Sequence, residues 1–219
     1  MNSRDTILAA VRGGLGGQTV DAERVRREAA SLLDGSEAAR PAYAATAPVV
    51  DLFAARVTSP KVSASIDYVA QLQDMPAAVA RYLDAKGLPQ RIALQPAVAL
   101  RALDWSGFEL PDTLTANEPV GVGMALWGIA ETGSLVFHSG PETPILANFL
   151  PLHHIVLVRA ATIVRYLEDY AAAAQSTGRP PPRNVNIITG ASGTTDIEGS
   201  LVLGAHGPKY LHIVIAATT

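Results

Sequence analysis

No cysteine occurs in the 219 residues. The chain therefore has no disulfide, no thiolate nucleophile, and no cysteine ligand for a structural zinc or an iron–sulfur cluster. Any redox chemistry tied to it uses a bound organic cofactor or takes place on a partner. Lysine is almost as scarce, with Lys61, Lys86 and Lys209 the whole complement. Basic residues number 17 against 20 acidic ones, for a net charge of −3 and an isoelectric point near 5.9. The clustered positive surface that phosphate backbones require is missing, so no nucleic-acid partner is expected. Arg24, Arg26 and Arg27 cluster on one helical segment and read as its solvated face. No apolar run reaches the roughly 18 residues of a membrane span. Arg4, Asp5 and Arg12 interrupt what would have to be a signal peptide's apolar stretch. A soluble, cytoplasmic chain is expected.

Apolar residues make up 48% of the sequence and charged ones 17%, a globular and alanine-rich balance with only 5% aromatics. A chain of this length buries roughly 70% of the surface that its unfolded form exposes, enough for one main domain with an appendage. Residues 1–45 form the appendage. Ile7, Leu8, Val11 and Leu15 follow a possible cap at Ser3, GGLGG breaks that helix, and 21–33 resumes helical spacing. SEAARPAYAATAP then reads as a linker. This helical arm either packs on the main domain, packs on a neighbour, or remains a mobile tail.

Residues 46–219 read as an α/β domain. Helical patterns are expected over 49–56, 74–87, 97–103, 162–175 and 196–203, and strands over 61–66, 91–95, 134–138, 154–158, 185–189 and 211–216. Residues 120–129 are apolar and glycine-punctuated. The alternation in the last third, strand–helix–strand–helix–strand, implies a parallel sheet covered on both faces.

In such a sheet, ligands bind beyond the carboxyl ends of the strands, which points to NIITGASGTTDIEGSLVLGAHGPK. Gly190 and Gly193 permit a tight turn, Ser192, Thr194 and Thr195 supply hydroxyls, and Thr195 with Glu198 matches a capping box. Free amides at a helix start favour an anion. GASGTT, however, is neither a Walker loop nor a dinucleotide fingerprint, and Asp196 and Glu198 would repel a dianion there. A polar, hydroxylated or cation-bearing ligand fits better, with His206 and Gly207 on the exit turn AHGPK. A second candidate is WGIAETGS, where Glu131 precedes Thr132 and Gly133 on a sharp turn. It is either a general base or nucleophile, or a solvated turn residue. His153 and His154 are adjacent and point to opposite faces of a strand, and without an HxH or HxxxH pair no metal is expected. His138 and His212 alternate with apolar neighbours and read as structural histidines. Neither Ser139 nor Ser192 forms GxSxG.

The elements GIAETGSLV, NFLPLHHIVLVRAATIV, NVNIITGASGTTDIEGSLVLGAHGPKYLHIVI and SRDTILAAVR together resemble the lactate-utilization (LUD) domain family. The resemblance implies a three-layer α/β/α fold with a mostly parallel sheet, like that of ribose-phosphate isomerases, glucosamine-phosphate deaminases and coenzyme A transferases. It implies a component of a cytoplasmic system that oxidises L-lactate to pyruvate beside partner subunits carrying iron–sulfur clusters. A cysteine-free chain is consistent with that division of labour. Ala191, Ser192, Gly193 and Thr195 depart from the family's usual loop, whereas Glu131, Asp196, Glu198 and His206 match it. Catalytic roles do not carry over with the motif. Three functions remain open: a non-cluster subunit of a lactate-oxidising system with a small-molecule pocket or assembly surface, an independent isomerase or acyl-transfer enzyme using Glu131, and a non-catalytic binding module.

Overall fold

The computed structural model describes residues 2–15, 21–34, 40–112, 114–116, 118–195 and 200–218. The chain divides into two compact units, 1–40 and 41–219. The first holds α1 (Ser3–Gly14) and α2 (Ala22–Asp34). Asn2, one residue ahead of the expected Ser3, caps α1 by accepting the Asp5 N–H at 3.0 Å. Asp21 caps α2 through the N–H groups of Glu23 and Arg24. No residue of α1 is buried, and Ile7, Val11 and Leu15 are more than half exposed.

The second unit runs α3 (Val49–Val57), β1 (Ser65–Val69), α4 (Met75–Lys86), β2 (Ala93–Leu94), α5 (Val98–Arg101), β3 (Val120–Met124), β4 (Trp127–Ile129), β5 (Ser134–His138), β6 (His153–Arg159), β7 (Ile163–Val164), α6 (Leu167–Ser176), β8 (Val185–Ile188), β9 (Gly193–Thr195), β10 (Leu201–Leu203) and β11 (Tyr210–Ala216). Five of these strands form a parallel sheet in the order β1-β11-β6-β3-β2. β6 and β11 are near-continuous apolar runs because both their faces are covered. One face packs Val122, Ile155, Leu157 and Val214 against Met75, Val79 and Leu83 of α4. The other packs Val156, Val158, Ile213 and Ile215 against Phe53 and Val57 of α3 and Leu135 and Phe137 of β5. Each such fully buried side chain contributes about 1.5–3 kcal/mol. The molecule is thus an α/β fold with a mostly parallel central sheet flanked by helices.

A second, four-stranded sheet, β7-β4-β5-β8, mixes one parallel pair with two antiparallel ones. It carries α6 through Ile129, Val136 and Tyr170. Three sequence expectations change here. The strand at 185–188 does not continue the parallel sheet. It runs antiparallel to β5, and its alternately exposed and half-buried residues suit an outer strand rather than a doubly covered one. The helix expected from Thr162 begins only at Leu167, because the β-branched pair Ile163 and Val164 is drawn into pairing with β4. Residues 201–203, expected as the end of a helix, form β10, antiparallel to β9. The expected start of that helix, with Asp196 and Glu198, lies outside the described residues.

The stretch 41–48, expected to act as linker, is fastened to the second unit. Ala44 is fully buried, the Tyr43 hydroxyl donates to the Glu131 carbonyl at 2.9 Å, and the Arg56 guanidinium lies 4.1 Å from the Tyr43 ring centroid.

Candidate functional site

The connection between β8 and β11 brings the two glycine turns of the sequence together. Gly190 has φ +80°, and a Cβ there would meet the Val62 carbonyl oxygen at 2.4 Å, so only glycine lets the chain leave β8 along this path. Ser192 then donates its N–H to the Pro208 carbonyl and accepts the Gly204 N–H, both at 2.8 Å. These two bonds pin the first turn to the second. Gly193, Thr194 and Thr195 pair with Leu203, Val202 and Leu201 as a short ribbon between them. Gly207 lies against Ser192 and Phe149.

Beside this double turn is a cavity of about 500 Å³, lined by Ala116 and residues 149–152 and 204–207, including His206 and Gly207. Its walls are the segments that enter β3, β6 and β11. The cavity therefore lies at the amino edge of the parallel sheet, whereas the sequence reading placed the crevice beyond carboxyl ends. The reason is topological: the glycine loop does follow the carboxyl end of a strand, β8, but that strand belongs to the second sheet. Residues 149–152 went unrecognised as cavity walls. Their only sequence signal is the run FLPL ahead of β6, an apolar loop with no chemistry-bearing side chain.

Glu131, Thr132 and Gly133 are not among the residues that line this cavity. They form a turn after β4 in which Gly133 has φ +72° and rests on the Arg56–Val57 backbone. The Glu131 carboxylate accepts the Leu167 N–H at 2.8 Å and so serves the start of α6. A file of hydroxyls joins the two regions. Thr132 Oγ1 lies 2.6 Å from Ser134 Oγ, which lies 2.5 Å from Thr189 Oγ1, immediately before Gly190.

The histidines divide between the faces of the sheet. His153 Nδ1 is 2.9 Å from the Tyr82 hydroxyl on the α4 side. His154 stacks on Phe137 on the other side, and burial pushes its pKa down to about 4. His138 Nε2 is 2.8 Å from the Tyr170 hydroxyl, and burial lowers its pKa. Among the described residues no group of three or more His, Cys, Asp or Glu is placed to hold a metal ion.

The structure is thus a parallel α/β sheet with a loop-lined cavity at its amino edge. Residues 115–216 match the LUD domain. Lactate utilization protein C of Geobacillus kaustophilus is 37% identical over 108 residues, covering 47% of this chain and 45% of that protein. Lactate utilization protein C of Anoxybacillus flavithermus is 33% identical over 115 residues, 51% of each chain. The chain spans about half the length of the curated relatives it matches. The crystal structure of a DUF162 family protein from Deinococcus radiodurans shares the fold, with a TM-score of 0.55 at 22% identity over 77% of this chain and 96% of that one.

Proposed function

We propose that this protein is the non-iron-sulfur component of a cytoplasmic system that oxidises L-lactate to pyruvate, contributing a metabolite pocket, an assembly surface, or both. The carrying observation is the match of residues 115–216 to the LUD domain, together with the similarity to proteins that are themselves named lactate utilization protein C. Oxidation of lactate releases two electrons and two protons. A chain without a thiol hands those electrons to an organic cofactor or to a partner, and cysteine-ligated clusters would lie on iron–sulfur subunits beside it. Among the described residues no helix is long and apolar enough to cross a membrane, which fits a cytoplasmic assembly.

The cavity beside His206 and the glycine turns is the proposed metabolite site. Gly190, Ser192, Gly193, Thr194 and Thr195 act as its scaffold rather than its lining, since Ser192 holds the exit turn that the cavity uses. An independent enzyme using Glu131 as base has less support, because that carboxylate is already engaged by the Leu167 N–H.

Deleting the gene in its host should abolish growth on L-lactate while sparing growth on pyruvate, and the tagged protein should co-purify with cysteine-rich subunits. Undiminished growth on lactate without the protein would refute the assignment. A melting screen over lactate, pyruvate, nucleotides, flavins and sugar phosphates separates the pocket from the assembly surface. A ligand at about 100 times its Kd adds about 2.7 kcal/mol, which raises Tm by roughly 5–10 °C for a chain of this size.

A further inference from the structure

A second polar pocket lies away from the cavity of the glycine turns, between the carboxyl end of α4 and the first residues of β1 and β11. It measures about 260 Å³, and Ser65, Tyr82, Lys86, Tyr210, Pro60 and Leu211 are among its walls. Strand register assembles it. Ser65 opens β1 opposite His212 of β11, and Tyr210 opens β11 opposite His153 of β6. Alternation along each strand sends Ser65, His212, Tyr210 and His153 to the face that α4 covers. Two ring stacks then stiffen the wall, Tyr82 on His212 and Tyr210 on His153, each with centroids 4.4 Å apart. The Tyr82 hydroxyl is occupied by His153 Nδ1 at 2.9 Å.

The hydrogen-bonding state of His212 decides what the pocket offers. The residue is 6% exposed, and burial pushes its pKa down to about 4, so the ring is neutral at pH 7 and carries one proton. Nδ1 lies 2.8 Å from Ser65 Oγ, while the buried Nε2 has no partner. An orphaned buried N–H is rarer and costlier than an orphaned acceptor. The proton is therefore assigned to Nδ1, which donates to Ser65 Oγ. That leaves the Ser65 O–H free to donate into the pocket.

Lys86 supplies the charge. Its ammonium lies 5.9 Å from the Tyr82 ring centroid, and among the described residues no carboxylate pairs with it. Asp67, on the same face, is already held by Arg81 at 2.6 Å. The pocket thus presents one unpaired cation, one oriented hydroxyl donor and an apolar wall from Pro60 and Leu211. We propose that it is a binding site for a short-chain monocarboxylate, with the carboxylate between Lys86 and Ser65 and its carbon chain against Pro60, Leu211 and the tyrosine rings. A phosphate dianion would find a single cation and an apolar wall, so a monoanion is the better match.

Isothermal titration of the full chain with acetate, L-lactate, pyruvate and inorganic phosphate at matched ionic strength tests this. At least one carboxylate should bind saturably, with affinity weakened tenfold or more by Lys86→Gln and by Ser65→Ala. Lys86 is exposed, so Lys86→Gln should fold normally, and near-UV circular dichroism checks Ser65→Ala. Saturation by phosphate alone, or heats unaffected by Lys86→Gln and Ser65→Ala, would each overturn the assignment. Growth on lactate tests the proposed function separately, since a carboxylate at this pocket requires no lactate oxidation.

Discussion

The Glu131 carboxylate sits 2.8 Å from the backbone N–H of Leu167, the first residue of α6 and 36 positions further along the chain. A turn after β4 thereby caps a helix that begins three strands later. Loss of an N-terminal cap costs about 1 kcal/mol, or roughly 2–4 °C in Tm for a protein of this length. Glu131→Ala should show that loss in thermal unfolding. Glu131→Gln keeps an acceptor oxygen and should retain most of the stability and full growth on lactate. A Glu131→Gln protein that folds normally yet cannot support growth would instead make the carboxylate chemical.

Gly190 and Gly193 look interchangeable in GASG but should respond differently to alanine. A Cβ on Gly190 would press on the Val62 carbonyl oxygen at 2.4 Å with φ at +80°. Backbone must move there, at a cost of about 1–3 kcal/mol for the disfavoured conformation alone. At Gly193 the nearest atom is the Leu201 Cδ1 methyl at 3.3 Å, the far end of a flexible side chain. Urea midpoints should fall clearly for Gly190→Ala and shift little for Gly193→Ala.

What could be read from the sequence follows from how local each cause is. HHIVLVR and YLHIVIA declare buried parallel strands because every position is apolar or packed, whatever lies beside them. The cap of α4 is equally local, with Pro76 in its first turn and Gly87 at φ +64° closing it. Leu201–Leu203 is not legible as a strand because its partner, Gly193–Thr195, shows itself only once the chain has folded back. The two glycine turns were visible as motifs. Their placement at the amino edge of the sheet was not, because β8 had to be assigned to the wrong sheet or the right one first. His212 reads as a satisfied structural histidine in sequence, yet its Nε2 lacks a partner.

Arg165 explains why 41–48 behaves as part of the second unit. Its Nη1 donates to the carbonyl oxygens of Ala44 and, at 2.9 Å, of Ala47. Hydrogen bonds from a charged donor contribute about 1.5–3 kcal/mol each. Arg165→Met should release this segment locally. Amide exchange at residues 42–47 is expected to accelerate at least tenfold, the equivalent of about 1.4 kcal/mol, while exchange in β6 and β11 stays unchanged. Equal acceleration in β6 would mean that Arg165 supports the global fold instead.

Among the histidines whose pKa burial lowers, His138, His153, His154 and His212, the last two contribute most to the acid response of the fold. His154 and His212 each have a pKa pushed down to about 4 by burial, against an ordinary value of 6.5. Above pH 6.5 both are neutral in the folded and unfolded chain, and neither makes stability depend on pH. As pH falls below 6.5, the unfolded chain takes up protons that the folded chain refuses, so stability is lost progressively down to about pH 4. Each histidine contributes a slope of up to about 1.4 kcal/mol per pH unit and a total loss on the order of 3 kcal/mol. Urea unfolding at pH 7.5, 6.0, 5.0 and 4.5 should show stability falling steeply between 6 and 4.5. His154→Leu removes one of the two largest of these titrations, so whatever it does to stability at pH 7.5, it should make the slope below 6 clearly shallower. A slope that His154→Leu leaves intact would mean that the ring at 154 titrates near its ordinary value and is not sealed against Phe137 as the packing implies.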